Sequence, residues 1–285
     1  MTLKRKPSWL RIKVPQGQNL DYVKTILSDY SLNTVCQEAN CPNKLECYSK
    51  KTATFMILGR ECSRNCRFCN ISHGELQPVD EMEANNVAEA SVKLGLKHVV
   101  VTSVTRDDLP DGGASHFAAV INAIKLKDAN MIIEVLIPDF RGSEEALKKV
   151  VLAQPHIINH NVETVPRLYD DVRPMADYKQ SLNLIKQVKE INNRIYTKSG
   201  IMVGMGETEK EVTKVMKDLR EVGCDFLTVG QYLPPGRDYY PLVEYVTPET
   251  FERYKEIGIK LGFSAVASSP LVRSSYNAAE MMEGK

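Results

Sequence analysis

Cys62, Cys66 and Cys69 form a C-x3-C-x2-C array within the stretch 60–70. It follows an apolar, strand-like run at 54–59, so the three thiols share one tight loop and their sulfurs can converge. A cubane iron–sulfur cluster takes one thiolate per iron. Three cysteines would hold three irons and leave the fourth open to a ligand that is not protein. Phe68, between the second and third cysteines, puts a flat apolar side chain beside that open position. Zinc is the alternative, because Cys3His is a known structural set and His73 could complete it. Zinc cysteines, however, more often come as two separate pairs. A disulfide network fits the spacing least well.

A second set lies upstream: Cys36, Cys41 and Cys47, spaced C-x4-C-x5-C. Residues 37–43 are polar and broken by Pro42, which predicts an irregular loop held together by a metal centre rather than a regular element. Three ligands again face a four-cornered cluster, and the fourth must come from elsewhere in the chain or from a substrate. Buried thiols without metal are the plain alternative. The serine-rich tail at 268–276 reads by default as solvated chain. A serine oxygen is a poor ligand for soft iron beside thiolate, and a weak fourth ligand would suit a cluster that must open during turnover. Cys224 lies far from the other six cysteines and reads as a small buried hydrophobe.

These residues need elements to position them. Short β-branched runs recur at 54–58, 99–104, 131–137, 157–162, 199–203 and 226–229, with helix-like stretches between them. The clearest helix follows Thr208, whose spacing to Glu211 is a capping box. Val212, Val215, Met216 and Leu219 then give one apolar face. Another helix opens at Thr247-Pro248, with proline at its first position. Strand–helix alternation implies a parallel sheet with helices outside. Six such units, counted from the strand at Thr54, are too few for a closed eight-fold barrel. The fold class expected is therefore α/β: a partial (β/α)6 TIM-type barrel with N-terminal and C-terminal extensions. Its expected divisions are 1–50, carrying the first cysteine set, the barrel at 51–262, and the tail at 263–285. A helix is expected at 21–30 and a turn at Pro15-Gln16-Gly17.

Parallel sheets place ligands at the carboxyl ends of their strands, and the Cys62 loop leaves the first strand there. The other strand ends are polar. Thr102 and Ser103 open a run reaching Arg106, Asp107, Asp108 and Gly112-Gly113, suited to a carboxylate or amine, or else simply solvated. Asn161 and Glu163 share one face by two-residue alternation, well placed for ribose hydroxyls. His160 points the other way, as a structural histidine would. Gly204, in Gly204-Met205-Gly206, would let a flat adenine approach the backbone; this is not a dinucleotide fingerprint.

Composition bounds the partners. Lys plus Arg is 37 and Asp plus Glu is 36 in 285 residues, for a formal charge of +1. No overall field points to nucleic acid or an anionic membrane. No run approaches the roughly 18 apolar residues of a membrane span. Residues 1–9 are basic without an apolar stretch, which predicts no secretory signal. Six of the seven cysteines precede residue 70, which fits a reducing compartment. The expected location is cytoplasmic.

The Cys62–Cys69 pattern with Phe68 resembles the signature of the radical S-adenosylmethionine (SAM) superfamily. The whole chain resembles the lipoyl synthase family within it. The resemblance rests on both cysteine sets, the run 106–113, the run 164–169, Gly230-Gln231-Tyr232-Leu233 and the terminal Arg273-Ser274-Ser275-Tyr276, in the family's order. One departure is the loop 234–239, onto which no substrate contact is carried. The resemblance implies two 4Fe-4S clusters and SAM as cofactors. Cys62, Cys66 and Cys69 would hold the cluster that binds SAM and cleaves it reductively to a 5′-deoxyadenosyl radical. Cys36, Cys41 and Cys47, with Ser275 as fourth ligand, would hold an auxiliary cluster that donates two sulfurs to C6 and C8 of an octanoyl-lysine and is consumed. Implied partners are octanoylated lipoyl domains of 2-oxoacid dehydrogenase complexes and the glycine-cleavage H protein. An electron donor such as flavodoxin or ferredoxin and iron–sulfur carrier proteins are also implied. A biotin synthase-like enzyme is the rival within this chemistry, and it is not expected to share the first cysteine set and the serine tail. A zinc-stabilised binding module is the rival outside it.

Overall fold

The computed structural model describes residues 5–12 and 19–282; the turn expected at Pro15-Gln16-Gly17 lies outside them. Its frame is one eight-stranded sheet whose strands follow chain order. β1 (Asn33–Thr34) pairs antiparallel with β2 (Thr54–Ile57). Every later pairing is parallel: β3 (His98–Ser103), β4 (Ile132–Leu136), β5 (Ile157–Asn159), β6 (Tyr196–Val203), β7 (Phe226–Gln231) and β8 (Ala265–Ser269). Helices α1 (Asn19–Asp29), α2 (Val35–Glu38) and α3 (Lys44–Ser49) belong to the N-terminal part. The connections after β2 carry α4 (Glu83–Lys93), α5 (Ala114–Lys127), α6 (Glu144–Leu152), α7 (Tyr169–Val172), α8 (Tyr178–Ile191), α9 (Glu209–Glu221) and α10 (Pro248–Lys260). Six strand–helix units thus start at Thr54, as the sequence implies, and β8 adds a seventh parallel strand. Among the described residues no helix is long and apolar enough to cross a membrane.

Local chemistry explains the elements. Thr208 and Glu211 complete the expected capping box at the start of α9. Val212, Val215, Met216 and Leu219 of that helix are wholly buried, each worth about 1.5–3 kcal/mol in transfer from water. Pro248 stands in the first turn of α10. The stretch around Cys36–Cys47 departs from expectation. It forms α2 and α3 rather than an irregular loop, because Thr34 caps the first helix by accepting the Gln37 N–H. Pro42 separates the two helices instead of abolishing them. β5 is shorter than expected, so Asn161 and Glu163 lie just beyond it.

Two apolar shells flank the sheet. One gathers β2–β4 with α1, α4, α5 and α6; the other gathers β6 and β7 with α9 and α10. Charged groups also lie within the sheet. Lys198 Nζ lies 2.9 Å from Glu134 Oε1, and His98 Nε2 lies 3.3 Å from Glu134 Oε2, all on buried side chains. Burial raises the Glu134 pKa, but Lys198 and His98 outweigh it and hold the carboxyl low.

Candidate active site

The loop after β2 is fastened before it reaches its first cysteine. Leu58 turns left-handed at φ +68°, a conformation that costs a branched side chain about 1 kcal/mol or more. Its N–H donates to the buried Glu83 carboxylate at 2.9 Å, and its carbonyl accepts from Arg106 Nη1 at 3.0 Å. Gly113, at φ +89°, packs so closely that a Cβ there would collide with the Leu58 side chain. Beyond the turn, the Cys62 N–H donates to Ser72 and the Ser63 N–H to Thr105.

Arg64, between the first two cysteines, makes the strongest tie. Its guanidinium binds Asp107 through Nε and Nη2 at 2.6 and 2.9 Å, and Asp139 through Nη1 and Nη2 at 2.9 and 2.7 Å. Burial alone would favour the neutral form, yet the two carboxylates outweigh it and keep Arg64 charged. Asp139 is likewise held below the usual carboxylate range by Arg64, against the upward push of burial. The Arg106–Gly113 run therefore serves the cysteine loop. Arg106 holds Leu58, Asp107 holds Arg64, and Gly113 leaves room for the turn.

Cys62 and Cys69 pack beside the first apolar shell, whereas Phe68 packs against the second. The loop thus straddles both halves of the sheet. Burial pushes up the Cys66 thiol, opposed by the nearby Arg173 charge, and pushes Cys69 up to about 12. Glu163 acts electrostatically on both sulfurs. Asn161 Nδ2 donates to Glu163 Oε1 at 3.1 Å, so the expected pair does meet. It meets through a left-handed Glu163 at φ +66°, not through strand alternation. Burial raises the Glu163 carboxyl, with Arg173 and Asn161 opposing. His160 is buried with Nδ1 2.9 Å from the Ile137 carbonyl oxygen, a structural contact.

The remaining expected residues divide. The Thr102 hydroxyl is committed to the Leu136 carbonyl at 3.0 Å, while Ser103 Oγ has no hydrogen-bond partner among the described residues. Gly204 has a packing reason of its own: a Cβ there would strike the Gln231 side chain and the Glu244 backbone. Sequence reasoning missed Arg173. Its Nη1 donates to the Asn161 carbonyl at 3.1 Å and to Tyr169 Oη at 2.8 Å, and its Nε is unpartnered among the described residues. The signal was a buried Arg-Pro after a short helix, too common to stand out.

The N-terminal set is built differently. Cys36 lies in α2 and Cys47 in α3, with Cys41 between them; the Cys41 N–H donates to the Cys36 carbonyl at 3.1 Å. Burial and the neighbouring thiols push Cys36 up to about 11 and Cys47 up to about 12, so the three sulfurs feel one another. The tail returns to them. Thr54 Oγ1 donates to Ser275 Oγ at 2.9 Å, Tyr276 Oη to Glu46 at 3.0 Å, and Asn43 Nδ2 to the Leu271 carbonyl at 2.7 Å. Gly230 of β7 makes this possible, since a Cβ there would overlap the Val272 carbonyl. Burial draws the Arg273 guanidinium below its usual range, with Cys41 of one site and Glu163 of the other opposing.

Both donor sets fit iron–sulfur clusters. Each brings three cysteines onto one short segment, and burial disfavours the bare thiolate at Cys36 and Cys47 in one and at Cys66 and Cys69 in the other, a condition that cationic iron would relieve. Among the described residues no three His, Cys, Asp or Glu side chains form a group that could hold a single metal ion. His73 is exposed, with Nδ1 3.2 Å from the Cys62 carbonyl oxygen.

The Radical SAM superfamily model matches residues 56–219, and the model of the N-terminal domain of lipoyl synthase of the Radical SAM family matches residues 2–41. The chain is 67% identical over 283 residues to "Lipoyl synthase" of Alkaliphilus metalliredigens, covering 99% of this chain and 98% of that protein. It is 61% identical over 274 residues to "Lipoyl synthase" of Caldanaerobacter subterraneus subsp. tengcongensis, covering 96% of each. Among solved structures, methylornithine synthase (PylB) aligns with a TM-score of 0.55 at 14% identity, over 77% of this chain and 72% of that one. HydG, a maturase of the [FeFe]-hydrogenase, aligns at 0.58 and 18%, over 74% and 49%. These two likenesses concern the fold alone.

Proposed function

The chain belongs to the lipoyl synthase family of the radical SAM superfamily, and from that premise we propose which residues carry each part of the reaction. The activity is SAM-dependent insertion of two sulfur atoms at C6 and C8 of a protein-bound octanoyl-lysine. When bound, SAM and two 4Fe-4S clusters supply the radical that removes hydrogen and the sulfur that replaces it.

Cys62, Cys66 and Cys69 would hold the cluster that receives SAM, and the Arg64 clamp keeps the three sulfurs in register. Asn161 and Glu163 take the ribose hydroxyls, and Arg173 offers its unpartnered Nε to the carboxylate end of the same ligand. Phe68 walls the open position, Ser103 offers a hydroxyl at its rim, and Thr102 keeps that strand end in place. Gly204 leaves the β6 loop close to Gln231 and would let a flat adenine approach the backbone. Cys36, Cys41, Cys47 and Ser275 would hold the sulfur-donating cluster. Residues 1–50, 51–262 and 263–285 thus act as cluster arm, barrel and closing tail. The acyl carriers are lipoyl domains of 2-oxoacid dehydrogenase complexes and the glycine-cleavage H protein. A flavodoxin or ferredoxin supplies electrons and iron–sulfur carriers rebuild the donor, in the cytoplasm.

The return of the tail carries this reading: Ser275 reaches the strand that bears Thr54 across 221 positions of sequence. Iron and sulfide counts on anaerobically reconstituted protein test it. About eight of each per chain are expected, falling to about four in Cys41→Ala and in Cys66→Ala. Stoichiometric zinc without iron would overturn it.

A further inference from the structure

Thr54 is the first residue of β2, opposite Val100 in the parallel register. It is 5% exposed, and pairing with β3 fixes its backbone. Ser275 Oγ lies 2.9 Å from its hydroxyl and accepts from it. A threonine hydroxyl has one proton to give, and this one is given to the serine oxygen.

We propose that Thr54 is the positioning residue for Ser275: its hydroxyl holds the serine oxygen at the edge of the N-terminal cysteine set. The other tail contacts act at other points. The Gln231 N–H of β7 donates to the Pro270 carbonyl at 3.4 Å, upstream of the serine. The Asn43 and Tyr276 contacts tie the tail to the cysteine-bearing segment itself. Thr54 meets the Ser275 oxygen itself from a barrel strand, and a ligand fixed from a rigid element is placed more exactingly than one fixed from a loop. A fourth ligand of this kind is held firmly enough to close the site and loosely enough to leave it.

The inference rests on the assignment of Ser275 as fourth ligand, and its test separates the two. Reconstituted Thr54→Val, Thr54→Ser and Ser275→Ala proteins are exposed to a ferrous chelator, and the first iron lost per chain is timed. Thr54→Val removes the hydroxyl at nearly constant shape; it should lose that iron about tenfold faster, the factor of one hydrogen bond to a charged group. Thr54→Ser should behave as the parent. Hydrogen exchange on the cluster-free protein gives a readout without metal: the Val272 and Tyr276 amides should lose protection in Thr54→Val and keep it in Thr54→Ser. If Ser275→Ala speeds iron loss while Thr54→Val does not, the role of Thr54 is overturned and the serine assignment stands. If Ser275→Ala releases iron at the parent rate, the serine assignment falls and this inference with it.

Discussion

The loop of Cys62, Cys66 and Cys69 leaves β2 through a left-handed turn held from both sides, and its Arg64 is committed to two carboxylates. Among the described residues, the segment of Cys36, Cys41 and Cys47 has no such clamp. It consists of helices of four and six residues, closed by a tail whose ties are a hydroxyl pair, a phenol on a half-exposed glutamate and one amide on a carbonyl. The difference in fastening matches a difference in task. A centre that must survive many turnovers gains from ligands that cannot shift, and positioning to about half an ångström is what buried charged networks supply. A centre that surrenders sulfur must let its ligands go and be rebuilt.

The sharpest way to break this comparison is to disable one set at a time. Cys62→Ala should abolish SAM cleavage, and sulfur insertion with it. Cys36→Ala should retain part of the cleavage, measured as 5′-deoxyadenosine, while lipoyl product disappears. Equal loss of both products in the two variants would erase the division of labour. Next in size is the clamp. Arg64→Met leaves Asp107 and Asp139 facing each other without a cation, which should cost about 3–5 kcal/mol in denaturant unfolding. Reconstituted Arg64→Met should lose the irons of the barrel loop before those of the N-terminal set; loss in the opposite order would contradict the assignment of rigidity.

Acid should sharpen the contrast by a smaller amount. Burial draws His160 down to about 4, with the Arg173 and Arg64 charges helping and Asp139 and the Ile137 carbonyl opposing. Its unfolded value is near 6.5. Between those values the unfolded chain binds a proton that the folded chain refuses, so this stability is complete above pH 6.5 and is lost as pH falls towards 4. The change is about 3 kcal/mol by linkage. Unfolding of cluster-free protein at pH 7 and pH 4.5 should show it, and His160→Gln should flatten the dependence. An unchanged slope in that variant would remove His160 from the account.

Much of this was legible in the chain because the signals were local. The capping box at Thr208, the apolar face of α9 and the paired cysteine spacings each depend on residues a few positions apart. β8 was not legible, because Ala265–Ser269 carries little apolar signal and owes its strand form to pairing with β7. The helices at Cys36 and Cys47 were missed because Pro42 and the polar residues around it outweigh propensity, whereas the Thr34 cap and the tail contacts decide the outcome. The Arg64 clamp was invisible for another reason. Asp107 and Asp139 lie 43 and 75 positions away, and no spacing rule announces that pairing. Arg106, Asp107 and Gly113 could be seen as a polar cluster, but only the fold shows that they hold the loop.

The central claim is that the N-terminal set is built to open at Ser275. Ser275→Cys tests it most directly, because thiolate binds iron far more firmly than a serine oxygen does. Reconstituted Ser275→Cys protein would be given SAM, reductant and an octanoylated lipoyl domain, and its iron content, SAM cleavage and lipoyl yield measured together. The account predicts full iron loading, continued cleavage and a lipoyl yield near zero. Lipoyl formation at the parent level from that variant would contradict it.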